Sequence, residues 1–181
     1  MKNDEGYFRE TLEGMSGREK GKDAEKCFIM AMGKLNFKEI GSCPVERRDG
    51  WKFPNPGWKD VAIAKATEDQ DFSQKTDFWM FSKDSKKEGV GYEGWFRIQL
   101  STEEDNEAKR ESAYSAKAIP IFIPYIRLFL ASGGEHAALR FVSEQFEAQF
   151  ARGCRDLYAR HKSLNFIKVE KEEKEKKERG Y

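Results

Sequence analysis

The sequence predicts one α/β domain in which a mixed sheet is flanked by helices. Three observations point there. Lys22–Asn36 and Glu135–Arg160 repeat apolar residues at helical spacing. Lys75–Ser82 and Gly94–Ser101 read as strands rich in aromatic and β-branched side chains. Ile119–Pro124 is a short, continuous apolar run, which suits a strand buried on both faces. At 181 residues the chain has room for one domain with a substantial core.

Along the chain, residues 1–21 mix glycine and charge and are expected to form a flexible leader. The first helix then carries Ala24, Phe28, Ala31 and Leu35 on one stripe, widened by Cys27 and Met32, with Glu25 at its border. Phe37–Glu46 has room for one strand. Arg47–Lys59, with two prolines and two glycines, is expected to be a loop. A short helix is expected from Trp58 to about Thr67, followed by the acidic stretch at Glu68, Asp69 and Asp71, whose carboxylates could add oxygen ligands and equally suit an ordinary acidic turn. The Lys75–Ser82 and Gly94–Ser101 strands should pair antiparallel through a long turn-rich connection. Glu103–Lys117 reads as a polar helix with Thr102 as its cap. Ser132–Gly134 breaks the chain before the last long helix, whose apolar side holds Leu139, Val142, Phe146, Phe150 and Leu157. The domain is expected to span 22–167, and 168–181 to be a charged tail.

Composition excludes several classes. Net charge is +1, and without the tail 27 residues of each sign remain, so no global basic surface drives nucleic-acid binding. Three widely spaced cysteines, Cys27, Cys43 and Cys154, give neither a disulfide framework nor a zinc motif. His136 and His161 have no sequence neighbours that suggest a triad or a zinc site. No run approaches the ~20 apolar residues that span a bilayer, and the polar N-terminus is no signal peptide. A cytoplasmic location with no membrane partner is the expectation.

Chemistry concentrates on the two aromatic strands. Alternation puts Lys75, Asp77, Trp79 and Phe81 on one face of the first, and Trp95, Arg97, Gln99 and Ser101 on one face of the second. With Asp77 opposite Gln99 and Glu25 arriving from the helix, three oxygen donors would converge. Hard divalent cations need such a set, with room for water and phosphate. The same residues also read as an ordinary start of a strand and a satisfied amide. Asp77 and Gln99 on opposite sheet faces would rule the site out.

The element order helix–strand–strand–strand–helix–strand, with Glu25 in DAEKCF, Asp77 in KTDFW and Gln99 in RIQLS, resembles the core of the PD-(D/E)xK nuclease superfamily, the restriction-endonuclease-like fold. The resemblance covers about Lys22 to Pro124. It implies Glu25, Asp77 and Gln99 as ligands of Mg²⁺ or Mn²⁺ at a catalytic centre. The family's lysine, two residues beyond the amide, is Ser101 here, and serine carries no charge to replace it. Lys75 is the candidate substitute, ahead of Arg97; Lys109 and Lys117 are not ranked. Members commonly dimerise, so a homodimer is compatible with the resemblance, although no residue pattern marks its surface.

Arg47, Arg48, Lys52 and Lys59 alternate with Trp51 and Trp58 in the loop. Cations that grip phosphate and rings that stack on unpaired bases make this a candidate nucleic-acid contact. The tryptophans equally suit a loop pinned to the body. Two functions follow: a metal-dependent nuclease that hydrolyses phosphodiester bonds in DNA or RNA, or a catalytically inactive nuclease-fold protein serving as a binding or assembly module.

Overall fold

Helix α1, Gly17–Lys34, starts ahead of its apolar stripe because Ser16 caps it. The Ser16 hydroxyl accepts from the Glu19 amide and Glu19 Oε2 accepts from the Ser16 amide at 2.8 Å, a capping box that satisfies two end-of-helix donors. Part of the stretch read as a leader is therefore helix. The computed structural model describes residues 14–54, 61–83, 91–130, 134–162 and 167–170.

After α1 come β1 (Lys38–Glu39), β2 (Val45–Arg47), β3 (Gly50–Lys52) and β4 (Val61–Lys65). Helix α2 (Glu68–Gln74) leads to β5 (Phe78–Lys83) and the long β6 (Gly91–Ser101). Then follow α3 (Glu107–Ser115), β7 (Ala118–Phe122), α4 (Tyr125–Leu130), α5 (Glu135–Arg160) and β8 (Ile167–Glu170).

The main sheet runs β1-β4-β5-β6-β7, with β8 also on β6. It is mixed, as expected. β4–β5 and β5–β6 are antiparallel, while β1–β4 and β6–β7 are parallel. β7 and β8 share one edge of β6, pairing with Arg97–Ser101 and Gly91–Gly94 respectively.

Four expectations are corrected. The expected helix toward Thr67 is instead β4, a central strand with Ala62, Ile63 and Ala64 buried; tertiary pairing on both sides overrides the helix preference of AIAKA. The expected loop contains a hairpin, β2–β3, whose register joins Arg47 to Gly50. Gly50 has φ 118°, a backbone that favours glycine and that Asp49-Gly50 supplies. The cap of α3 is Asn106, whose side chain accepts from the Lys109 amide at 2.9 Å, and not Thr102. Finally, Ile167–Glu170 joins the sheet, so the start of the expected tail is strand.

One face of the sheet packs on α1 and α5. Phe28 meets Phe78 at 5.4 Å and Phe146 at 6.0 Å, and Phe150 meets Phe96 at 5.4 Å. The other face carries the hairpin, α2 and α3. Edge strand β7 is fully buried, as its apolar run predicts. Its outer backbone is covered by Gln149 of α5, which accepts from the Phe122 amide at 2.8 Å and donates to the Phe122 carbonyl at 2.9 Å. The side chain acts as one rung of a missing strand, satisfying groups that burial would otherwise penalise.

Helix α5 lies so close to β7 that a Cβ at Gly153 would collide with the Ile119 side chain. The β-branched Ile119 is stiff about χ1 and cannot swing away. Gly153→Ala is expected to destabilise the fold by about 1–3 kcal/mol, read as a lower urea midpoint. An unchanged or raised midpoint would mean α5 is free to shift.

Candidate active site

Asp77 stands one residue ahead of β5, where the β4, β5 and β6 ladders end together. Its amide donates to the Ile98 carbonyl at 2.9 Å and its carbonyl accepts from the Ala66 amide at 3.0 Å. Its Oδ2 accepts from the Leu100 amide at 2.6 Å. A strand amide points within the sheet plane. The carboxylate therefore extends the β5–β6 ladder by one rung, lying in the plane instead of out on either face.

Burial pushes the Asp77 carboxyl up to about 7. The Leu100 amide works against the shift, the carboxylates of Asp71 and Glu25 add to it, and Lys65 offsets part of it. These four side chains thus share one electrostatic neighbourhood, at the convergence of α1, the end of β4, α2 and the start of β5. Within it Lys65 Nζ donates to Glu25 Oε2 at 2.9 Å. That bond raises the lysine's affinity for its proton.

Gln99 lies on the strand beside Asp77, one residue beyond Ile98, the register partner of Phe78, and has Pro120 as its partner on β7. Alternation puts it on the Arg97 face. It lines a pocket of about 240 Å³ with Lys75, Ser101, Lys109 and Ser112, over Leu100, Pro120 and Phe122. No hydrogen bond among the described residues joins Gln99 to Glu25 or Asp77. Lys75 is not on the strand; it ends α2 in a left-handed conformation, φ 49°, and its Nζ donates to Ser112 Oγ at 2.7 Å. Lys109 pairs with Glu103 Oε1 at 2.6 Å. The expected site is thus two adjoining parts, a carboxylate cluster and a lysine-bearing pocket, with Leu100 and its amide between them.

The chain matches no family model, no curated protein and no solved structure. The geometry alone carries the functional reading.

Among the described residues no three His, Cys, Asp or Glu side chains are grouped to hold a metal ion. Magnesium sites use one or two carboxylates and complete the shell with water and phosphate. The carboxylates of this neighbourhood are Asp77, Glu25 and Asp71, with Lys65 beside them among the described residues.

Among the remaining candidates, Arg97 and Trp51 pack within the fold. Arg97 is buried, with its guanidinium 5.0 Å from the Trp51 ring and 5.3 Å from Trp79, and it donates to the Ala116 carbonyl at 3.1 Å. Trp51 packs on Trp79 at 5.3 Å and Phe53 at 6.3 Å, pinning the hairpin to the sheet. Arg47, Arg48 and Lys52 are exposed on that hairpin; Trp58 and Lys59 lie outside the described residues. His161 contacts the Tyr114 carbonyl at 2.8 Å and His136 lies 3.4 Å from Lys34 Nζ. Glu68 and Asp69 sit in the first turn of α2, where they complement the helix dipole. Among the described residues no helix is long and apolar enough to cross a membrane.

Lys65 is the member that sequence reasoning did not place; Asp71 was one of three acidic residues that could add an oxygen ligand. Lys65 fell within an expected helix, which hid its position beside the strand that carries Asp77. Asp71 belonged to an acidic turn with nothing to distinguish it from its neighbours.

Proposed function

We propose that the protein is a metal-dependent phosphodiester hydrolase acting on nucleic acid. The observation that carries this reading is the Asp77 carboxylate, fixed by the Leu100 amide at the open end of the sheet and surrounded by Glu25, Asp71 and Lys65. The order α1, β4, β5, β6, α3, β7, a mixed sheet flanked by helices with Asp77 at the start of β5, is in keeping with the core that the resemblance implies.

In this reading Asp77 and Glu25 hold the cation, with Asp71 close enough to tune it. When bound, a divalent ion would screen phosphate charge and lower the pKa of a coordinated water. Lys65 takes the part of the lysine missing at Ser101. Its ammonium spends one hydrogen on Glu25 and keeps two with which to orient an attacking water. Water attacks phosphorus, the bond to the leaving oxygen breaks, and that oxygen ends with a proton from solvent. Lys75, at the adjoining pocket, supplies positive charge beside the flanking phosphate.

One feature favours the second reading, a binding module without chemistry. Among the described residues the lysine of the cluster, Lys65, is engaged with Glu25, and Ser101 offers no replacement. Incubation with DNA and RNA separates the two. Products are expected only with magnesium or manganese, and Lys65→Met should lower their rate by about 100-fold. Undiminished cutting by Lys65→Met would remove Lys65 from the mechanism. Folded wild-type protein that cuts nothing would leave the binding module.

A further inference from the structure

We infer that the pocket beside the carboxylate cluster receives a single unpaired nucleotide, so that the protein acts on single-stranded or frayed nucleic acid in preference to intact duplex. The inference deepens the hydrolase reading by naming the substrate class of the same site.

The pocket has two chemically different walls. Pro120 and Phe122, both buried, lie at the base of the pocket, and Leu100, packed against the core, also lines it. A flat ring would rest against this apolar floor. Gln99 stands above that floor, half-buried, and its amide makes no hydrogen bond among the described residues. An amide offers a donor and an acceptor side by side, the pattern that pairs with the edge of a base. At the rim, Lys75 Nζ gives one hydrogen to Ser112 and has two more for a phosphate oxygen. Lys109 carries less net charge toward the pocket, because Glu103 pairs with it.

Size and position narrow the occupant. About 240 Å³ accommodates one nucleotide's ring and sugar and not a stacked base pair. A paired base turns its edge to its partner and cannot present it to Gln99; an unpaired one can be splayed out and read. The pocket lies over β6 and β7, one and two strand spacings of about 4.8 Å from the Asp77 strand. A base seated in it, with its phosphate at the Lys75 rim, would place that phosphate on the side of the pocket nearer Asp77. A bare phosphate would use the lysine rim and leave both the apolar floor and Gln99 without a purpose.

The test is fluorescence anisotropy of labelled oligonucleotides in EDTA, where cleavage is silent. Single strands are expected to bind at least about tenfold tighter than blunt duplex of the same sequence. Gln99→Leu and Lys75→Met should each weaken single-strand binding about five- to tenfold. In parallel, free deoxyadenosine monophosphate added to the wild-type protein should shift the NMR signals of the Gln99 side-chain amide, Leu100 and Ser101. This arm needs no variant to fold. Equal or tighter duplex binding, variants that bind like wild type, or nucleotide shifts mapping away from Gln99 would overturn the inference. Cleavage without these effects would sink the pocket and leave the hydrolase. The binding preference without cleavage would do the reverse.

Discussion

Asp77→Asn is expected to stabilise the metal-free protein above pH 7 and to leave its stability nearly unchanged near pH 4. The folded carboxyl titrates at about 7 and the unfolded one near 3.8. Between those values the native state holds a proton that the unfolded chain has lost, so stability falls as pH rises through this window. Above pH 7 the native protein carries a buried carboxylate among Asp71 and Glu25, at a cost of up to about 4 kcal/mol. Asparagine keeps an oxygen for the Leu100 amide and brings no charge, so it removes that cost. Urea unfolding at pH 4.5 and pH 8 reads the difference. Magnesium should raise the wild-type midpoint at pH 8 and leave that of Asp77→Asn in place, because only the carboxylate form binds the ion. An equal effect of the substitution at both pH values would show that Asp77 is not held at the cost described. Loss of function with gain of stability is the pattern of a side chain kept for chemistry.

Gln70→Leu is expected to destabilise by about 3 kcal/mol or more. Gln70 is buried and ties three parts together. Its Oε1 accepts from Trp79 Nε1 at 3.1 Å, from the Thr67 amide at 3.2 Å and from Cys43 Sγ at 3.4 Å. Its Nε2 donates to the Pro44 carbonyl at 2.7 Å. Leucine fills similar space and answers none of these groups, and buried polar groups stripped of partners cost the full desolvation penalty. The hairpin should loosen with α2, which tryptophan fluorescence from Trp51 and Trp79 would report alongside the urea midpoint. A loss below about 1 kcal/mol would mean that water replaces Gln70, and that α2 is held by packing alone.

What the sequence revealed follows from how far each signal reaches. The stripe of α1 and α5, the alternation of Phe96 and Ile98 in β6 and the apolar run of β7 are local patterns, and each became the expected element. β4 was misread because AIAKA has no alternation and its identity depends on β1 and β5 on either side. In the hairpin, the prolines at 54 and 56 drew attention from Asp49-Gly50, the turn that makes it. The candidate site divides the same way. Asp77 was visible because it precedes an aromatic strand. Asp71 stood out only as one of three acidic residues in one stretch, and Lys65 and Gln70 not at all, because their roles arise where α1, β4 and α2 meet, and no spacing along the chain encodes that meeting. Gln99 was expected among metal ligands; its neighbours are Lys75, Ser112 and an apolar floor, which only the β6–β7 pairing brings together.

The central claim is that Asp77 anchors a metal-dependent phosphodiester-cleaving centre. It is tested most directly by incubating labelled single- and double-stranded DNA and RNA with wild type and Asp77→Asn, in magnesium, in manganese and in EDTA. The account predicts cutting by wild type only with a divalent ion, and a loss of about 100-fold or more in the folded Asp77→Asn protein. Cutting by Asp77→Asn at the wild-type rate, or no cutting of any substrate by folded wild type, would contradict it.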